Sequence, residues 1–194
     1  MTAAANNTAN VSTGKGIAGG YMFVAPVGTT LPNKVITEAS TLNPAFMNLG
    51  YLGDDGVVFA DSSDSETYQD LNGDTIETSN GAVEKTATVT LREIKKDTLA
   101  FVRGKSNVTD ENGLITAKDT GPSQDRWSVV WLFVLKNGRK WTRVAENASL
   151  GELGDMTVVY NELVGRETTL NVAMGNTTGT YYTDYIDSTE TEAE

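Results

Sequence analysis

Ten carboxylates stand between Lys34 and Lys85 with no basic side chain among them: Glu38, Asp54, Asp55, Asp61, Asp64, Glu66, Asp70, Asp74, Glu77 and Glu84. Oxygen atoms at that density could hold a hard cation or supply a general acid and base. For calcium, Asp61, Asp64, Asp70 and Asp74 have neither a fixed spacing nor a tight turn to converge them, so they support adventitious binding only. A second string, "VTDENGLITAKD", puts Asp110, Asn112, Gly113 and Asp119 at positions 3, 5, 6 and 12 of an EF-hand loop, counted from Val108. Position 1 must be an oxygen ligand, which valine is not. The same residues read more simply as a "DENG" hairpin turn ahead of a strand "LITAK". A glycosidase-like acid pair could arise from any two carboxylates that meet in space. Aromatic residues, which line sugar subsites, make up only 8% of the chain. "GKGIAG", Gly14 to Gly19, matches the dinucleotide fingerprint letter for letter. That motif needs a preceding strand and a following helix, whereas "GGYMFVAPVG" reads as a strand, so the segment is an arm entering a strand.

The 194 residues contain no histidine and no cysteine. Ser-His-Asp and Cys-His hydrolases and nearly all zinc sites are excluded, because each needs an imidazole or a thiolate. A net charge of −11 argues against a groove that tracks nucleic-acid phosphates. No apolar run approaches the roughly 18 to 20 residues of a spanning helix, and no export signal is visible, so a soluble protein made in the cytosol is expected. Charge is uneven along the chain: +2 over residues 1–34, −10 over 35–84, +3 over 85–166 and −6 over 167–194. The basic middle and its acidic flanks can attract one another within or between subunits.

The elements that must position these groups are mostly strands. "EKTATVTLREI" alternates, with Ala87, Val89 and Leu91 on one face and Thr86, Thr88, Thr90 and Arg92 on the other. "WSVVWLFVL" is apolar on both faces and predicts a strand covered on both sides. Asn137-Gly138 supplies the two positive φ angles of a type I′ turn and predicts a hairpin joining Trp127–Leu135 with Lys140–Ala145. "DMTVVYNEL" and "ETTLNVAM" follow as strands, split by the turn-prone stretch from Asn161 to Gly165. "KKDTLAFVRGK" spaces Leu99 and Val102 at i, i+3, opens near Asp97 and meets Gly104 where a left-handed cap belongs, so it predicts one short helix. Its apolar side is expected to cover the second face of the Trp127 strand. The fold class is mainly β (α+β): a two-sheet antiparallel sandwich or flattened barrel with one flanking helix. One domain, residues 17–174, is expected between a flexible arm (1–16) and an acidic tail (175–194). Trp127, Trp131 and Phe133 share a face, which reads as core, with an exposed lectin-like platform as the sharper alternative. Trp141 should be the most exposed tryptophan.

"GKGIAGGYMFVAPVGTTLP" followed by "FMNLGYLGDDGVVF" resembles the amino-terminal half of major tail tube proteins from long-tailed, non-contractile (siphovirus-type) bacteriophages. "NGDTIET", "TVTLREIKKDTLAFVRG" and "NELVGRETTLNVAM" fall in the corresponding order, so the resemblance runs over residues 14 to 174. It implies a two-sheet β-fold with a flanking helix, hexameric rings stacked into a tube, and virion localisation. It also implies passage of double-stranded DNA and contacts with tape-measure, tail-terminator and tail-tip proteins. A long loop, here about residues 61–81, and the terminal arms would bridge subunits and rings. The apolar anchors Tyr68, Leu71 and Ile76 within that loop are expected to dock on an adjoining subunit, with Lys95, Lys96, Arg139, Lys140 or Arg143 as electrostatic partners. No catalytic, cofactor or metal residue is assigned and no membrane contact is expected. A carbohydrate-binding or adhesin module and a hydrolase are the competing readings.

Overall fold

The computed structural model describes residue 8 and residues 11–188. Eleven strands and one α-helix are present among them: β1 (Gly14–Gly16), β2 (Met22–Pro26), β3 (Met47–Asn48), β4 (Leu52–Gln69), β5 (Thr75–Leu91), α1 (Lys96–Arg103), β6 (Val108–Glu111), β7 (Leu114–Ala117), β8 (Arg126–Leu135), β9 (Lys140–Thr157), β10 (Gly165–Ala173) and β11 (Thr183–Ile186). Nine strands form one antiparallel sheet in the order β3-β2-β8-β9-β10-β5-β4, with β1 also on β8 and β11 also on β9; β6 and β7 pair separately.

The sheet folds back over itself. β4 and β8 stand four places apart in the strand order, which in a flat sheet is about 19 Å. Yet the rings of Phe59 on β4 and Trp131 on β8 meet edge to face at 5.2 Å. Register shifts between β9 and β10, at Arg166/Thr168 and Thr168/Leu170, and between β8 and β9, at Trp127/Val129, supply the bends. Gly151 sits in the bulged stretch of β9, where an added Cβ would come within 3.0 Å of the Thr169 carbonyl. The result is sandwich-like, and the barrel version does not form: β3 and β4 are the two ends of the strand order and do not pair.

β8 is buried on both faces. Trp127, Val129 and Trp131 point into a core shared with Val89, Leu91, Leu150, Leu170 and Phe101. Val130 and Leu132 point the other way, against Ile17, Phe23, Ile36 and Leu42. The expectation that α1 covers this second face is corrected. Phe101 of α1 packs on Trp127, ring centroids 5.8 Å apart, and the segment carrying Ile36 and Leu42 closes the opposite side. A helix with Thr98, Ala100, Phe101 and Val102 buried has its widest apolar surface toward the large rings. The i, i+3 pair Leu99/Val102 caught only part of that face. The indole N–H groups of Trp127 and Trp131 are buried and have no acceptor among the described residues, while the two rings remove a large apolar area from water.

The local expectations hold at the Asn112-Gly113 and Asn137-Gly138 turns. Asn137 and Gly138 have φ of 64° and 80° and link β8 to β9, while Asn112 and Gly113, at 54° and 79°, link β6 to β7. Gly104 closes α1 with φ 93° and donates its N–H to the Ala100 carbonyl at 3.0 Å. "DMTVVYNEL" is only partly strand. Gly165 pairs with Thr157, so the β9–β10 ladder ends there and residues 158–164 become the connection, turned by Asn161 at φ 67°. The alternation of valine and tyrosine mimicked a strand that has no neighbour to pair with. The expected arm over residues 1–16 lies mostly outside the described residues, although 14–16 form β1; of the tail, residues 189–194 lie outside them.

Trp131→Ala should destabilise the fold by about 3–5 kcal/mol, since a large ring leaves a closed core. Leu71→Ala, on a fully exposed side chain, should stay within about 0.5 kcal/mol. Denaturant unfolding of the two variants under conditions that keep the protein monomeric checks the contrast.

Candidate assembly surface

The segment expected to be a loop at 61–81 is a hairpin, which corrects the sequence reading. β4 and β5 stay paired from Val57↔Val89 out to Gln69↔Thr75. β10 covers β5 only as far as Lys85, opposite Val172. Beyond that point the two strands run on as a ribbon with neither a third strand nor a covering layer among the described residues, and nearly all of its described side chains are exposed. An ion pair between Lys85 and Asp61 at 2.6 Å marks its base. Polar and acidic alternation carries no buried face and so reads as loop; cross-strand register with the half-buried roots of the same strands makes it a ribbon.

The ribbon's tip is a built turn. The amides of Asn72 and Asp74 donate to Asp70 Oδ1 at 2.8 and 2.9 Å. The Asp70 amide in turn donates to the Asp74 carbonyl at 2.8 Å, and that of Gly73 to the Asp70 carbonyl at 3.1 Å. Donation from the Asp74 amide, then from Asn72, holds the Asp70 carboxyl below its ordinary pKa. The turn displays Leu71 wholly in solvent, at 106% relative exposure, with Ile76 at 69% and Tyr68 at 49% beside it. Tyr68 donates to Glu66 at 2.9 Å. The three predicted anchors thus share one projecting element.

The predicted basic partners are scattered over the body of the same chain. Lys95 pairs with Glu93 at 2.7 Å, and Lys96 is exposed at the start of α1. Arg139 Nε donates to the Asp187 carbonyl at 2.8 Å, and the Lys140 amide to Asp187 Oδ2 at 2.7 Å. Arg143 is engaged within the chain: Nε and Nη2 grip both oxygens of Asp184 at 2.8 Å each. Its guanidinium lies 4.4 Å from the Phe59 ring centroid, 4.9 Å from that of Tyr182 and 5.0 Å from that of Trp141.

Arg143 and Asp184 are cross-strand partners of β9 and β11, so this clamp fastens the C-terminal strand to the sheet. Burial alone would push the Asp184 carboxyl up, but hydrogen bonds from Arg143 and Trp141 hold it below its ordinary value. Burial also pushes the Tyr182 hydroxyl up to about 12, against the opposing pull of Arg143. Nearer the core, Glu146 accepts from the amides of Thr177, at 3.0 and 3.1 Å, and Thr178, at 2.7 Å. Those bonds, led by Thr178, lower its pKa to about 2. The clamp residues Asp184, Glu146 and Tyr182 were missed by sequence reasoning. The alternation Tyr182, Thr183, Asp184, Tyr185, Ile186 was the available signal, hidden in a stretch rich in Gly, Asn and Thr.

The exposed aromatic platform is not formed. Trp127 and Trp131 are buried, and Trp141 packs on Phe133 with centroids 5.0 Å apart while its Nε1 donates to Asp184 at 2.7 Å. Among the described residues no group of three or more acids is placed to hold a metal ion, and no helix is long and apolar enough to cross a membrane.

A rolled antiparallel sheet with one helix and a projecting, acid-rich arm defines a mainly β, sandwich-like protein. Residues 3–186 match the family model described as phage tail tube protein, and the chain belongs to the phage tail tube protein family. Among solved structures it is similar to a chain of the sheath–tube complex of an extracellular contractile injection system, PVC, in the extended state. That match has 13% identity, covers 80% of this chain and 86% of that one, and has a TM-score of 0.36. It is also similar to the tube-terminating cap of the anti-feeding prophage, at 13% identity, 89% and 93% coverage and a TM-score of 0.39. No curated protein sequence matches it significantly.

Two outcomes check the clamps. Asp184→Ala should raise hydrogen exchange selectively at the amides of β11. For Glu146, the folded pKa lies below the unfolded one, so its contribution is complete above about 4.5, declines as pH falls and is gone below about 2. Glu146→Gln should therefore flatten the stability profile between those limits, measured by denaturant midpoints at successive pH values.

Proposed function

We propose that the chain assembles with copies of itself into stacked rings of six, forming the tube of a long, non-contractile phage tail. As a member of the tail tube family it is a structural component of the virion; the ring size, the tail type and the path of DNA are the proposal. The arm is the observation that supports it most. A two-stranded ribbon with no third strand is marginal by itself, and apolar groups displayed on it are stabilised by a partner surface. The non-contractile reading draws on the sequence resemblance.

Six copies at −11 each would give a ring a formal charge of −66. Carboxylates within about 8 Å of the lumen act on passing DNA before salt screens them. An acidic wall offers the phosphates no ion pairs, so the duplex slides without being held during genome ejection. Tape-measure, terminator and tail-tip proteins are the further partners, and the role is mechanical rather than catalytic.

Replacing residues 62–84 with an Asn-Gly turn between Asp61 and Lys85 tests the arm directly. The expected product is a folded monomer by circular dichroism and light scattering that forms no tubes in negative-stain micrographs. Tubes of ordinary length from that variant would overturn the assignment of the arm.

A further inference from the structure

Leu91, Ile94, Leu99, Val102, Met156 and Val164 line a cleft between α1 and the ends of β5, β9 and β10, with a cavity volume of about 100 Å³. Leu91 and Val102 are buried at its floor, while Ile94 and Met156 are exposed at its rim. Its three charged lining residues are Glu93, Arg103 and Arg166. Glu93 is already neutralised by Lys95. Arg103 pairs with Asp119, and Arg166 Nε donates to the Gly154 carbonyl at 3.0 Å, which leaves Arg166 without a carboxylate partner among the described residues. The apolar patch continues past the rim along the β9–β10 connection, where Val158, Val159, Tyr160 and Leu163 are all exposed. The cleft is thus an open apolar socket with one cation at its edge, Arg166, that has no carboxylate partner among the described residues.

The arm tip has the opposite character: an exposed leucine and isoleucine on a turn flanked by Asp70, Asp74 and Glu77, with no basic residue from 62 to 84. The two features lie at opposite ends of the same strand. Seventeen residues of β5 separate the Asp74 side of the turn from Leu91 in the cleft floor, roughly 50 Å at about 3.3 Å per residue. The rigid ladder between them prevents a chain from filling its own cleft.

We propose that the arm tip of one subunit seats Leu71 in the α1/β9–β10 cleft of a second copy, with Asp70 and Asp74 facing Arg166. The inference rests on the tube reading above and names the receptor for its arm. Knob and socket are different patches at opposite poles, so each docking leaves one free knob and one free socket. Growth along the arm direction follows, and closure into a dimer does not. The turn that displays Leu71 is already hydrogen-bonded, so little ordering is needed on docking.

The chain has no cysteine, which makes the contact directly testable. In the full-length protein, Leu71→Cys would be combined with Ile94→Cys, and separately with Met156→Cys on the other side of the cleft. Each double variant would be concentrated under reducing conditions until tubes form and then oxidised. For at least one pair the expected result is a ladder of covalent oligomers extending well past the dimer on a non-reducing gel. Each single variant, and Leu71→Cys with Leu114→Cys on the β6–β7 hairpin, should stop at the dimer. Leu71→Asp should raise the concentration needed for tubes at least about tenfold.

Tubes that form normally and give no ladder for either pair would overturn the socket while leaving an arm-driven tube intact. Unaltered tube formation by Leu71→Asp would overturn the knob. Full-length unmodified protein that stays monomeric at every concentration, even when seeded with tail tubes, would instead overturn the tube reading and this inference with it.

Discussion

β8 has no wet side, and the rest of the molecule is arranged around that fact. A strand with Trp127, Val129 and Trp131 on one face and Val130 and Leu132 on the other must be covered twice. A single sheet achieves this by rolling: bulges along β9 and β10 swing β5 and β4 over the tryptophan face, and α1 closes the end with Phe101. The other face receives an irregular segment, fastened where the Ile36 amide donates to Thr142 Oγ1 at 2.9 Å. Because the roll brings Phe59 against Trp131 and Tyr182, it also builds the aromatic box in which Arg143 holds the C-terminal strand. Core and clamp are consequences of one bend.

The same strands then leave the core. β4 and β5 contribute Phe59, Ala87, Val89 and Leu91 to the packed interior and continue outward as the arm. Rigidity is inherited from the roots, because a ribbon anchored in a nine-stranded sheet has its register fixed before it enters solvent. Exposed apolar side chains stand at its end, at Leu71 and Ile76, and around the cleft at the far end of β5, at Ile94 and Met156.

How much of this could be read from the sequence depended on whether a segment had a dry face. Ala87, Val89 and Leu91 alternate with threonines because one side is buried, and the doubly apolar β8 announced its two covers. The Asn112-Gly113 and Asn137-Gly138 turns were legible because the backbone itself demands those residues. The arm was not, since neither of its faces is buried and alternation of serine, aspartate and threonine carries no period; the Asn72-Gly73 pair at its tip was the signal available. β11 escaped for a related reason: besides its ladder with β9, the side-chain clamp that holds it joins an arginine and an aspartate forty-one positions apart, a pairing no local pattern encodes. The helix was placed correctly and oriented wrongly, because its amphipathic stripe says which side is apolar but not which of two apolar surfaces it meets.

A bare ribbon offers two lines of unpaired backbone groups, and two such ribbons would ordinarily zip together edge to edge. Here every charged side chain from 62 to 84 is negative, so an approaching twin meets repulsion along the whole length. The carboxylates that look like idle solubilising groups act as a filter on encounters. Charge there does what a bulge or a proline does on other exposed edges: it disfavours pairing with a second strand of the same sequence.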